Sequence, residues 1–159
     1  MRKVSNFVVI AFVVTLIAST ALSAKSPTSK ITIMGPGLRE VLEVTDLKAL
    51  DKWNVWGGGF INRPEGVVAE TPAAIGSSYE VSFYITLQND QLKKVYVVFY
   101  YPDPATQGGY IYLPGKADQQ YRLNTTAILR DGYDGNWLRA TESWNQFIRP
   151  LLDEAKASR

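Results

Sequence analysis

The stretch YEVSFYITLQNDQLKKVYVVFYYPDPATQGGYIYLPG, Tyr79 to Gly115, decides the fold. Val81, Phe83, Ile85 and Leu87 alternate with Ser82, Tyr84, Thr86 and Gln88. Successive side chains of a strand point to opposite faces, so this period of two specifies a half-buried strand. After the polar Asn89, Asp90 and Gln91 comes a second run, in which Val95, Val97, Phe99 and Tyr101 alternate with Lys94, Tyr96, Val98 and Tyr100. Setting Leu87 opposite Lys93, Ile85 opposite Val95, Phe83 opposite Val97 and Val81 opposite Phe99 puts both apolar sets on one face, with Gln88 to Leu92 as the loop. A slip of one residue would bring Tyr84, Thr86 and Gln88 beside the apolar row. Pro102 and Pro104 stop the second strand, Asp103 favours a turn, and Gly108 with Gly109 allow the return into a third strand, YIYL. The expected arrangement is an antiparallel meander.

Outward from this segment the pattern is less regular. ITIMGPGLREVLEV reads as a hairpin about Gly35, Pro36 and Gly37. Thr45 or Asp46 caps a short helix, LKALDKW, with Leu47, Leu50 and Trp53 along one side. Asn62 to Ser78 is loop-like, TTAILR near Ile128 reads as a further strand, and DGYDGN as a turn-rich break. From Thr141 onward Trp144, Phe147, Ile148, Leu151, Leu152 and Ala155 follow the three-and-four spacing of a helical stripe. Pro150 predicts a kink, or a break into two short helices near Arg149. The fold class is α+β: a single domain with an antiparallel sheet of four to six strands and a central meander, packed on one face by a C-terminal helix.

The N-terminus carries an address. Arg2 and Lys3 precede the apolar run Phe7 to Ala18 and then the small residues Ser19, Thr20, Ala21, Ser23 and Ala24, the layout of a secretory signal peptide. The competing reading is an uncleaved membrane anchor, since Phe7 to Ala24 is near the lower limit for spanning a bilayer, about 17 residues. The signal reading divides the chain into residues 1–24, a polar leader at 25–30 read as a tether, and one domain at 31–159. It places the product in the periplasm, at the envelope or outside the cell, with no stable membrane insertion after cleavage.

Charge excludes one class of partner. The 17 Lys plus Arg include Arg2 and Lys3, so removal of the signal leaves 15 against 15 Asp plus Glu, a balance of zero. Without a positive stripe there is no footprint for nucleic acid. The chain has no Cys and no His. Thiol catalysis, disulfides, imidazole bases and the usual zinc ligands are therefore absent, and no cofactor or metal is implied. Asp103 and Asp118 with the DGYDGN acids depart from the EF-hand series. Asn124, Thr125 and Thr126 match a glycosylation sequon that matters only in a eukaryotic secretory cell.

Two readings of the aromatic residues follow. On the register above, Tyr84, Tyr96 and Tyr100 share the face opposite the aliphatic core, extended by Tyr110 or Tyr112, and present rings with polar tips to a ligand. The competing reading is sheet packing, because tyrosine favours strands and cross-strand aromatic pairs stabilise them without any ligand. KWNVWGGGF raises the same alternative, Trp53 or Trp56 as a residue stacking on a sugar ring, or a Trp that ends a helix and packs into the core with Gly57 as the terminating residue. It lacks the GxxxxGK[ST] pattern of a phosphate loop. The leading functional reading is a non-enzymatic binding or interaction protein contacting an envelope protein or carbohydrate through Tyr84, Tyr96, Tyr100 and Trp56. The alternative is a small carboxylate-dependent hydrolase acting on envelope carbohydrate, with Glu70, Glu80, Asp103, Asp131, Asp134 and Glu142 as the available acids.

KITIMGPGLREVLEVTDLKALDKWNVWGGGF and YVVFYYPDPATQGGYIYLPG resemble a group of uncharacterised exported bacterial proteins with a GPGL turn, a VTD helix start and a YPDP then YIYLPG segment. The resemblance implies bacterial export and a shared fold, and it carries no active-site residue.

Overall fold

The computed structural model describes residues 26–68, 71–72, 77–128, 130 and 132–157. The signal segment, Glu70 and Asp131 lie outside the described residues. The chain forms β1 (Thr28–Met34), β2 (Leu42–Val44), α1 (Leu47–Lys52), β3 (Tyr79–Thr86), β4 (Leu92–Pro102), β5 (Gly109–Tyr112), α2 (Tyr121–Ala127), β6 (Trp137–Arg139) and α3 (Glu142–Ala157). The six strands make one antiparallel sheet in the order β2-β1-β3-β4-β5-β6. The α+β class, the hairpin, the meander and the C-terminal helix all stand.

The register of the central hairpin differs from the expected one. Val81 faces Val98 and Phe83 faces Tyr96; beyond an irregularity between Phe83 and Tyr84, Ile85 faces Lys93. The one-residue slip at Val81 and Phe83 turns Tyr96, Val98 and Tyr100 inward and puts Phe99 and Tyr101 on the other face with Val97, which is itself buried. Both alternating sets of this strand are apolar or aromatic, so the alternation itself favours neither face. Partners outside the hairpin decide. Tyr100 Oη donates to Asn145 Oδ1 at 2.8 Å, and Tyr96 Oη accepts from Arg130 Nε at 3.1 Å. Gly109 belongs to the same choice: a Cβ there would stand 2.6 Å from the Tyr100 ring.

The core lies between the inner face of the sheet and the helices. Trp53, at the end of α1, meets Trp144 of α3 edge-on at 5.0 Å, and Phe60 and Phe147 close around Trp144 at 5.8 and 5.6 Å. Asp46 caps α1 by accepting from Ala49 N at 2.9 Å. Leu50 and Trp53 are buried as expected, but Leu47 is 80% exposed. The leader is no tether. Thr28 is buried in β1 and its Oγ1 accepts from Val55 N at 3.0 Å.

Two further corrections concern helices. Thr125 and Thr126, read as part of a strand, lie in α2 with their hydroxyls donating to carbonyls one turn back. α2 forms there because Asn124, fully buried, plugs the side of β4 that β5 does not reach. Its Oδ1 accepts from Val97 N at 2.9 Å and its Nδ2 donates to Val97 O at 2.7 Å, replacing a missing strand. That burial also closes the sequon to modification. α3 runs unbroken through Pro150. Pro150 has no N–H to donate to the carbonyl of Gln146, and both residues are solvent-exposed, where water can supply the bond.

The strand β6, unforeseen because it has only three residues, ends the sheet beneath residues 61–68. Ile61 bridges Ala140, Val67 bridges Leu138, and Val68 N donates to Trp137 O at 2.8 Å. The other edge, β2, is equally short, a common way to limit edge pairing.

Candidate functional site

Of the four aromatic residues expected to make contacts, the structure seals two. Tyr96 and Tyr100 are each 0% exposed in the core. Tyr84 does face outward, half-buried, with the amines of Lys30 and Lys94 at 5.4 and 5.9 Å from its ring centroid. Trp56 is half-buried on the opposite side, its indole N–H donating to Ser26 O at 2.7 Å, and it lines an open groove of about 380 Å³ with Ile85, Lys93, Val95 and Thr126. The four do not form one surface.

A different set does. Phe99, Tyr101, Tyr110, Tyr112 and Trp137 stand half-buried on the outward face of β4, β5 and β6. Register places Phe99 opposite Tyr112, Tyr112 opposite Trp137 and Tyr101 opposite Tyr110. Ring centroids are 6.5 Å apart for Phe99 and Tyr112, 5.0 Å for Tyr112 and Trp137, and 4.6 Å for Tyr101 and Trp137. Arg139 lies 5.4 Å from the Tyr110 centroid. The strip is held in place, since Tyr112 Oη donates to Asp118 Oδ2 at 2.7 Å and the same oxygen accepts from Gly115 N. Neighbouring rings are inclined by 35°, 39° and 60°, so they present edges and faces in turn, not one plane. The other half of this face is charged and internally paired: Lys30 with Glu43 at 2.7 Å and Lys94 with Glu80 at 3.1 Å. Sequence reading missed this strip through the register slip and the unforeseen β6; of its members only one, Tyr110 or Tyr112, was expected to extend an outward set, and the structure places both there.

The acids do not gather. Glu80 is paired on the outer face, Asp103 accepts from Ala105 N and Thr106 Oγ1 in its own loop, and Glu142 binds Gln146 in the first turn of α3. Asp134 sits in the turn before β6 with Oδ1 buried and without a hydrogen bond among the described residues. Among the described residues no group of three or more acidic side chains could hold a metal ion, and no helix is long and apolar enough to cross a membrane.

The sealed phenols make stability depend on alkaline pH. Burial pushes Tyr100 up to about 12 and raises Tyr96 as well, Arg130 offsetting part of the latter effect. In the unfolded chain both return to the ordinary 10.0. Above that value the unfolded state has released protons that the folded state still holds. The contribution of these two phenols is therefore fully present below pH 10 and is lost as pH rises toward 12. Urea midpoints recorded across this range should decline in the wild type and decline less in Tyr100→Phe; parallel curves would contradict the assignment.

The fold and surface define a small six-stranded α+β domain with an outward aromatic strip and no gathered catalytic acids among the described residues. Compared with known proteins, the chain matches no family model, no curated protein and no solved structure.

Proposed function

We propose that the chain is an exported, non-enzymatic interaction protein of the bacterial envelope, which contacts a partner protein through the strip Phe99, Tyr112, Trp137 and Tyr101. One observation carries this reading: contiguous, half-exposed aromatic rings fixed on the outward side of a rigid sheet, the composition that dominates protein interfaces. The inclined rings favour a protein partner over a sugar, which stacks on a flat face. Export rests on the charged start, the apolar run and the small residues of the N-terminal segment.

The test is the double exchange Tyr101→Ala with Trp137→Ala. Half-buried outward rings are not core, so circular dichroism should report an intact fold. Affinity capture of envelope proteins from the producing cell should lose its specific partner, by about a hundredfold in affinity if each ring carries about 1.4 kcal/mol. Capture unchanged by the exchange would remove the strip from the interface. Binding to a glycan panel that disappears with the same exchange would replace the protein partner with a carbohydrate.

A further inference from the structure

The loop WGGGF holds an unusual approach of charges. Gly58 has φ 62°, and a Cβ built on it would stand 2.9 Å from Arg130 Nη1 and 3.2 Å from Arg63 Nη2. Two guanidinium groups, far apart in sequence, therefore converge on one backbone position. Arg130 is 2% exposed. Its Nε donates to Tyr96 Oη and its Nη2 to Val55 O, while Nη1, the nitrogen nearest Gly58, makes no hydrogen bond among the described residues. Neither arginine belongs to any of the ion pairs formed among the described residues. The nearby carboxylate is Asp134, whose charge, like those of both arginines, is felt at the Tyr96 phenol. The amides of Gly58 and Gly59 also donate to no acceptor among the described residues.

Bringing like charges together in partly buried surroundings is unfavourable unless an anion sits between them. Arg63, Gly57 and Gly59 are exposed while Gly58 and Arg130 are buried, so an anion would reach Arg130 past the Arg63 side chain. We propose that Arg63, Arg130 and the Gly57–Gly59 loop form a binding site for a phosphate group. Two positive charges with several planar N–H donors match a dianion with three or four acceptor oxygens better than a single carboxylate. The group could belong to free phosphate or to a phospholipid headgroup, and the chemistry is shared.

Titration calorimetry with inorganic phosphate at low ionic strength tests the site, with acetate as the monoanion and Arg63→Gln as the variant, since an exposed arginine can be exchanged without unfolding the domain. Phosphate should bind more tightly than acetate, and Arg63→Gln should weaken it about tenfold, the loss of one charge-assisted hydrogen bond. Flotation with phosphatidylglycerol vesicles separates the sources. Association that Arg63→Gln abolishes assigns the headgroup, and phosphate binding without flotation assigns the free anion. The proposal is overturned if neither phosphate nor vesicles bind, if Arg63→Gln leaves binding unchanged, or if acetate binds as well as phosphate.

Discussion

Trp144→Ala is expected to lower the free energy of unfolding by about 4 kcal/mol, the largest effect of any single exchange considered. Trp144 is 0% exposed and stands where α1, α3 and the Phe60 loop meet, in ring contact with Trp53, Phe60 and Phe147. Alanine would leave a cavity among aromatic side chains too rigid to collapse into it. Its indole N–H is buried without a hydrogen-bond partner among the described residues, a standing penalty that the packing must outweigh. Trp144→Phe removes that donor and keeps most of the ring, so it should cost only about 1 to 2 kcal/mol. Urea denaturation of both variants checks the account. Equal losses for Ala and Phe would show that the indole contributes through something other than ring volume.

Arg130→Met is expected to cost about 3 kcal/mol. Methionine keeps the apolar stem between Phe60 and Tyr96, over whose rings the guanidinium lies at 5.5 and 4.7 Å. It removes the donors to Tyr96 Oη and Val55 O, both in the interior. Tyr96→Phe deletes one of those acceptors and should cost about 1 kcal/mol, which separates the phenol's share from the rest. A methionine variant as stable as the wild type would mean that desolvating the guanidinium cancels everything it contributes, as happens for some buried charges. This stability measurement is independent of the phosphate titration, which uses the exposed Arg63.

Much of the architecture was legible in local pattern. Alternation located β3 and β4, Gly35 to Gly37 located the first hairpin, and the Trp144 to Ala155 stripe located α3. The failures share a cause. Thr125 and Thr126 favour a strand by propensity, yet they are helical because Asn124 is needed against Val97. Pro150 opposes a continuous helix, yet the expected break near Arg149 is not made, since Gln146 and Pro150 are both exposed and water can replace the missing donor. In each case a contact distant in sequence, or the side on which solvent lies, outweighed a local preference of a few kcal/mol at most. The surface features were less legible still. The aromatic strip joins β4 and β5 to a three-residue strand with no pattern of its own, and the arginine pair joins Arg63 to Arg130 across a glycine loop lacking the phosphate-loop spacing.

By itself the sequence determined that Tyr79 to Tyr112 forms antiparallel strands, that an amphipathic helix closes the chain, and that imidazole and thiol chemistry are absent. Only the tertiary structure decided which tyrosines are inside. A period of two separates two faces without ranking them when Tyr96, Val98 and Tyr100 compete with Val97, Phe99 and Tyr101. The ranking came from Asn145 and Arg130, side chains supplied from elsewhere in the fold, which satisfy two phenol groups that would otherwise be costly to bury.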